Sequence, residues 1–142
     1  MPEHNQTKLL VLYADDDPDD IQYVRESIME QADAIQLLTF RDAESLLRSI
    51  RSGQIPTLPC LVILDINMPR LNGKEALKTL RKVEGYETVP VVLFSTSNAP
   101  HDGHFASQYD AELFAKPLND EQMQVITKKF LERCREPVKD KY

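Results

Sequence analysis

The sequence predicts an α/β protein organised on a mainly parallel sheet, and three observations carry that expectation. Short apolar runs alternate along the chain with segments of helical periodicity, the pattern of βα units. The third run, Cys60 to Leu64, is apolar throughout, as a strand covered on both faces should be. The helical segments also open on residues that cap helices, so their starts can be read directly.

The first strand is Leu9 to Ala14. Asp17 and Pro18 follow as N-cap and first helical residue, and Ile21, Val24 and Ile28 recur at helical spacing. The second strand is Ile35 to Phe40. Its helix opens on the Asp42 cap, turns Ala43, Leu46, Leu47 and Ile50 inward, and stops at Gly53. After the third strand, Asn72 and Glu75 form a capping box for a helix that buries Ala76, Leu77, Leu80 and Val83 and ends at Gly85. Val89 to Phe94 is the fourth strand and Glu112 to Ala115 a short fifth. Between them, Pro100 and Gly103 in the stretch Asn98 to Asp110 predict a short helix that starts late. Asn119 with Gln122 caps the last helix, whose inner stripe is Met123, Ile126, Phe130 and Cys134, and Glu136 to Tyr142 reads as a charged tail. Five βα units assemble most simply as a doubly wound, five-stranded parallel sheet in the order 2-1-3-4-5, flanked by helices, the flavodoxin-like arrangement. A single domain is expected over residues 1–142, with its core at about 8–135.

Hydrophobic residues make up 42% of the chain and charged residues 28%, which excludes a disordered or fibrous protein. Seventeen basic against 23 acidic side chains give a net charge of −6, which argues against nucleic-acid binding driven by phosphate neutralisation. The start, MPEHNQTK, lacks the basic and apolar regions of a signal peptide, and the runs LLVLYA and CLVIL are too short to span a bilayer. No membrane is expected, and the protein is placed in the cytoplasm. Cys60 and Cys134, with no CxxC and no zinc-like spacing, read as reduced thiols of a cytosolic protein.

Right-handed crossovers bring every strand's carboxyl end to one edge of the sheet. Strand one ends in Asp15, Asp16 and Asp17, strand three in Asp65, strand four in Ser95 and Thr96, and strand five in Lys116-Pro117. Strands one and three flank the topological switch point, so Asp15, Asp16 and Asp65 should converge in one crevice. Like charges that close need a cation to stay ionised. Hard oxygen ligands with room for water suit Mg²⁺. Lys116 adds a fixed positive charge and Ser95 a hydroxyl donor. Phosphoryl transfer needs little beyond such positioning and charge neutralisation, and a carboxylate can serve as its nucleophile. Asp65 is the best nucleophile because it ends the most buried strand. Asp19 and Asp20 read only as acids favoured by a helix N-terminus. His101 and His104 are expected as exposed side chains, and His4 as part of a loose terminus.

At these residues the sequence resembles a response-regulator receiver (CheY-like) domain from Lys8 to about Arg135. The motifs that carry the likeness are LLVLYADDDPDD, CLVILDINMPRLNG, VPVVLFSTS and FAKPL, in that order. The resemblance implies that Asp65 is the phosphoacceptor and that Asp16 and the backbone carbonyl of Asn67 bind Mg²⁺ directly. It gives Asp15 a role through metal-bound water and makes Ser95 and Lys116 the phosphate-reading pair. It also implies a cis Lys116–Pro117 bond. The details LDINMPRLNG, Ser95-Thr96 and RSGQIPTLP resemble a stand-alone branch of the family, some of whose members partner with phytochrome-type histidine kinases. Two residues depart from the family pattern. Leu113 stands where the family often has Tyr or Phe as a conformational switch, with Phe114 expected on the opposite face. Thr96 is bulkier than the Ala or Gly often found there.

The expected function is therefore that of a receiver in a two-component phosphorelay. It takes a phosphoryl group from a sensor histidine kinase or histidine phosphotransfer protein onto Asp65 and signals to a downstream protein by contact. The surface expected for that contact is the fourth helix, fifth strand and fifth helix, on a monomer or weak homodimer. It is not expected to be an enzyme beyond its own phosphorylation and dephosphorylation. One alternative is a Mg²⁺-dependent phosphohydrolase of the haloacid-dehalogenase type. That family wants a DxD motif, and the third position here is Asn67. A flavodoxin-like cofactor binder would need a loop that cradles phosphate where this chain has three aspartates. A degenerate receiver acting as a scaffold is opposed by the intact acid, hydroxyl and lysine set.

Overall fold

The computed structural model describes residues 8–96 and 100–139, the last five by backbone alone. Its elements alternate: β1 (Leu9–Ala14), α1 (Pro18–Gln31), β2 (Ile35–Phe40), α2 (Ala43–Arg51), β3 (Leu61–Asp65), α3 (Gly73–Leu80), β4 (Val91–Ser95), α4 (Pro100–Gln108), β5 (Glu112–Ala115) and α5 (Asp120–Lys139). The five strands form one parallel sheet in the order β2-β1-β3-β4-β5, as the sequence predicts.

Side-chain alternation along the strands divides the core in two. Leu10, Leu12, Val62, Leu64, Val91 and Leu93 face α2, α3 and α4. Val11, Tyr13, Leu61, Ile63, Val92 and Phe94 face α1 and α5. Leu113 packs on the first face and Phe114 on the second, where its ring meets Phe130 edge-on at 5.3 Å.

The caps form as expected. Asp17 accepts from the Asp19 N–H at 2.9 Å with Pro18 in the first turn, and Asp42 accepts from Ser45 at 2.7 Å. Asn72 and Glu75 complete a reciprocal capping box. At α5, Asn119 accepts from Gln122, whose side chain reaches back to the Leu118 N–H. Gly53 and Gly85 adopt the positive φ that stops the chain from continuing as helix.

Several boundaries differ from expectation. β3 and β4 each run on to include Asp65 and Ser95, and β4 begins after Pro90, which has no N–H to give a ladder. The fourth helix starts early rather than late, because a proline in the first turn removes only a donor that would have had no intrahelical partner. Asn98 lies outside the described residues. Val83 falls beyond α3 but still packs on its core. The region expected as a charged tail continues α5 to Lys139.

The largest correction concerns the cysteines. Cys60 and Cys134 are joined in a disulfide across a sequence separation of 74 residues. Spacing gave no sign of this, because the pairing depends on α5 returning beside the start of β3. Closing a loop that long stabilises a fold by about 4 kcal/mol in the chain-entropy account.

Candidate functional site

The carboxyl ends of β1, β3, β4 and β5 bring the expected residues together. Asp15 follows β1 and has no solvent exposure, Asp65 ends β3 at 3%, and Ser95 ends β4 at 1%. Asp16 is exposed at the mouth. One carboxylate oxygen from each of Asp15, Asp16 and Asp65 lies within 4.8 Å of the others. Asn67 is exposed just beyond β3, and its backbone N–H donates to Asp65 Oδ1 at 3.2 Å. Ser95 pairs with Ala115 in the sheet, and its carbonyl accepts from the Lys116 N–H at 2.7 Å.

Lys116 occupies the centre of this charge. Its Nζ lies 3.0 Å from Asp15 Oδ2, 2.7 Å from Asp20 Oδ2 and 3.5 Å from Asp65 Oδ2, with the Phe94 ring 5.7 Å away. Burial opposes its charge. The hydrogen bonds to Asp20 and Asp15 and the field of Asp15 and Asp65 outweigh that, holding the ammonium above the usual lysine range. Asp65 shows the opposite balance. Burial, then the neighbouring Asp15, raise its carboxyl to about 7, against the pull of Lys116 and of the Asn67 N–H.

Three features escaped sequence reasoning. Asp20 is more than a helix N-terminal acid, since one turn into α1 it reaches the same ammonium as Asp15. Tyr13, read as an apolar strand residue, donates its buried hydroxyl to Asp15 Oδ2 at 2.6 Å. Burial and then the Asp15 charge push the Tyr13 phenol well above the ordinary tyrosine range. Gly73 is the third. A Cβ there would stand 2.4 Å from the Asp65 carbonyl oxygen, so only glycine lets α3 begin against the backbone of the acidic strand end. Its N–H donates to the Ile66 carbonyl at 3.0 Å.

The expected cis bond is not found: every described peptide bond is trans, Lys116–Pro117 included. Trans is the ordinary state even before proline, and in it Lys116 already reaches all three carboxylates. His101 and His104 are exposed, as expected, with His101 Nε2 3.5 Å from Asp102 Oδ1. His4 lies outside the described residues. Among the described residues, no helix is long and apolar enough to cross a membrane.

The donor set suits a hard divalent cation. Two buried carboxylates and one exposed carboxylate offer oxygens at mutually short range, and the exposed side leaves room for retained water, as Mg²⁺ prefers.

The carboxyl edge of this doubly wound sheet thus carries an acid trio, a hydroxyl and a lysine. The chain matches the response regulator receiver domain over residues 11–128 and belongs to that family, the receivers of two-component systems. It is 31% identical over 86 residues to the probable methanogenesis regulatory protein FilR2 of Methanothrix harundinacea, an alignment covering 58% of this chain and 56% of that protein. It is 25% identical over 105 residues to the response regulator Rcp1 of Synechocystis sp., covering 72% and 71%. The chain spans 56% of FilR2 and 33% of two further curated relatives. In fold it is similar to the phosphorylated cyanobacterial phytochrome response regulator RcpA, with a TM-score of 0.78 at 23% identity over 88% of this chain and 92% of that one. The Mn²⁺-bound form of Rcp1 follows at 0.74 and 20% identity, over 85% and 90%.

Proposed function

We propose that this receiver accepts a phosphoryl group on Asp65 from a phosphohistidine and signals through contacts that depend on that phosphate. The observation that carries the reading is the carboxylate trio within 4.8 Å, two of whose members share one ammonium, beside the end of the Ser95 strand.

The chemistry follows from the charges. An Asp65 carboxylate oxygen attacks phosphorus and a P–O bond forms. The P–N bond breaks, and its electron pair leaves with the imidazole, which takes up a proton. Burial keeps bulk water from the acyl phosphate, and Lys116 meets the added negative charge. Ser95 donates its hydroxyl to a phosphoryl oxygen from the adjacent strand end. Asp16 and the Asn67 carbonyl would hold Mg²⁺ directly, with Asp15 acting through bound water. The cation supplies neutralisation of the phosphoryl oxygens and of the acid pair.

The phosphoryl donor in this reading is a sensor histidine kinase or a histidine phosphotransfer protein. A phytochrome-type kinase is favoured by the likeness to Rcp1 and RcpA, the latter described as a phytochrome response regulator. The phosphate adds contacts to Ser95 and Lys116 that exist in one conformation only, and so shifts the population toward it. The face formed by α4, β5 and α5 carries that change to a downstream protein.

Incubation with acetyl phosphate and Mg²⁺, followed by intact-mass measurement, tests the reading. One phosphoryl group should be gained by the wild type and none by Asp65→Asn or in excess EDTA. Undiminished labelling of the variant would overturn it. The phosphohydrolase alternative requires steady turnover of small phosphate esters in the same assay.

A further inference from the structure

At the sheet's other edge, away from the acids, Cys60 and Cys134 meet with their Cα atoms 4.8 Å apart, within the range a disulfide spans. Their environments differ. Cys134 is 2% exposed on the inner side of α5, whereas Cys60 just before β3 is only partly covered. Both line a cavity of about 450 Å³, open to solvent and walled largely by apolar groups, among them Leu10, Leu58 and Pro90.

The two halves of α5 are held differently. Its first half bonds to α1 through the buried Ser27–Thr127 hydroxyl pair at 2.7 Å, through Gln31 donating to the Gln124 carbonyl, and through Tyr23 and Asp120. Its second half packs Phe130 against Phe94 and Phe114 and pairs Arg133 with the exposed Glu112. The covalent link at Cys134 falls within that second half.

We propose that Cys60 and Cys134 form a reversible dithiol–disulfide clasp, closed by a low-molecular-weight disulfide of the glutathione class, that sets how firmly the second half of α5 is held to the sheet. Exposure fixes the order of events. The Cys60 thiolate attacks one sulfur of glutathione disulfide, forming a mixed disulfide and expelling one glutathione thiolate. The Cys134 thiolate then attacks the Cys60 sulfur, closing the intramolecular bond and expelling the second glutathione. Two protein thiols are oxidised, one glutathione disulfide is reduced to two thiols, and the two protons pass to the departing glutathiones. Reversal needs only excess glutathione. The clasp is independent of the phosphoacceptor reading, since both cysteines lie at the opposite edge from Asp65.

The test takes reduced protein through a series of glutathione disulfide to glutathione ratios, with acid quenching and intact-mass measurement. Wild type should lose both thiols and retain no glutathione. Cys134→Ala should retain one glutathionyl group on Cys60, and Cys60→Ala should react at least about tenfold more slowly, as expected for a buried thiol. Amide exchange over residues 127–134 should be at least about tenfold slower in the oxidised wild type than in the reduced one. A wild-type pair that stays dithiol at every ratio would overturn the proposal. So would glutathionylation of Cys134 in preference to Cys60, or equal exchange in the two redox forms.

Discussion

The two edges of the sheet are built on opposite principles. At the carboxyl edge, Asp15, Asp20 and Asp65 crowd one ammonium with Asp16 beside Asp15 and Asp65, and burial pushes Asp65 toward protonation. At the amino edge, the half-buried Arg81 donates to the carbonyls of Tyr86, Val89, Tyr109 and Asp110, all at 2.7–2.8 Å. Burial alone lowers its pKa, with Asp110 opposing, yet a guanidinium stays charged under such a shift. There the Arg81 charge goes to satisfying backbone acceptors. The carboxyl edge leaves an excess of negative charge, which a bound cation would balance. One edge closes its polar groups on the fold itself, and the other is the edge to which the proposed function assigns binding.

That contrast is broken most forcefully at Gly73, which serves the acidic edge through backbone alone. Gly73→Ala should cost about 3 kcal/mol, the upper end for an intruding methyl group, because its neighbour is backbone and cannot swing away. It should also reduce acetyl phosphate labelling of the protein that remains folded. Urea denaturation and intact-mass measurement read the two effects separately. At the opposite edge, Arg81→Ala should cost about 2 kcal/mol through orphaned carbonyls while leaving labelling unchanged. Loss of labelling there would mean that the edges are not separable.

The Asp65 carboxyl sharpens the comparison through pH. With its folded pKa raised to about 7 from 3.8, the native state binds more protons than the unfolded state between those values. Metal-free stability should therefore fall as pH rises from about 4 to about 7 and level off above. Asp65→Asn should remove that part of the slope. Melting temperatures in EDTA at intervals across this window check it, and parallel profiles for the two proteins would refute it.

The smallest effect on labelling is expected at Leu113, half-buried on the α4 face. Leu113→Ala should cost about 2 kcal/mol, the low end for such a truncation, and preserve phosphorylation-dependent amide shifts in residues 100–110. Ser95→Ala should keep the labelling of Asp65 but lose those shifts. Amide spectra of the apo and beryllofluoride-bound forms decide between the two routes.

What was legible in the sequence was what local chemistry determines. The limits of β1, β2 and β5 follow from apolar runs bounded by polar residues, and the caps at Asp17, Asp42 and Asn72 from their side-chain oxygens. The convergence of Asp15, Asp16, Asp65 and Lys116 followed from topology, since parallel strands must end on one edge. What depends on three-dimensional approach stayed hidden. The Tyr13 hydroxyl reads as strand until Asp15 folds over it, and Asp20 reads as a cap until β5 delivers Lys116. The Cys60–Cys134 pairing likewise requires the second half of α5 to pass beside the start of β3.

The central claim is that Asp65, ending the central strand β3 between the acid pair after β1 and the Ser95 end of β4, is the group that takes the phosphate. Borohydride reduction of acetyl phosphate-treated protein converts an acyl phosphate at an aspartate into homoserine, which peptide mapping can place. The account predicts conversion at position 65, dependent on Mg²⁺, with Asp15 and Asp16 recovered unchanged. Conversion at position 15 or 16, or at position 65 in the absence of any divalent cation, would contradict it.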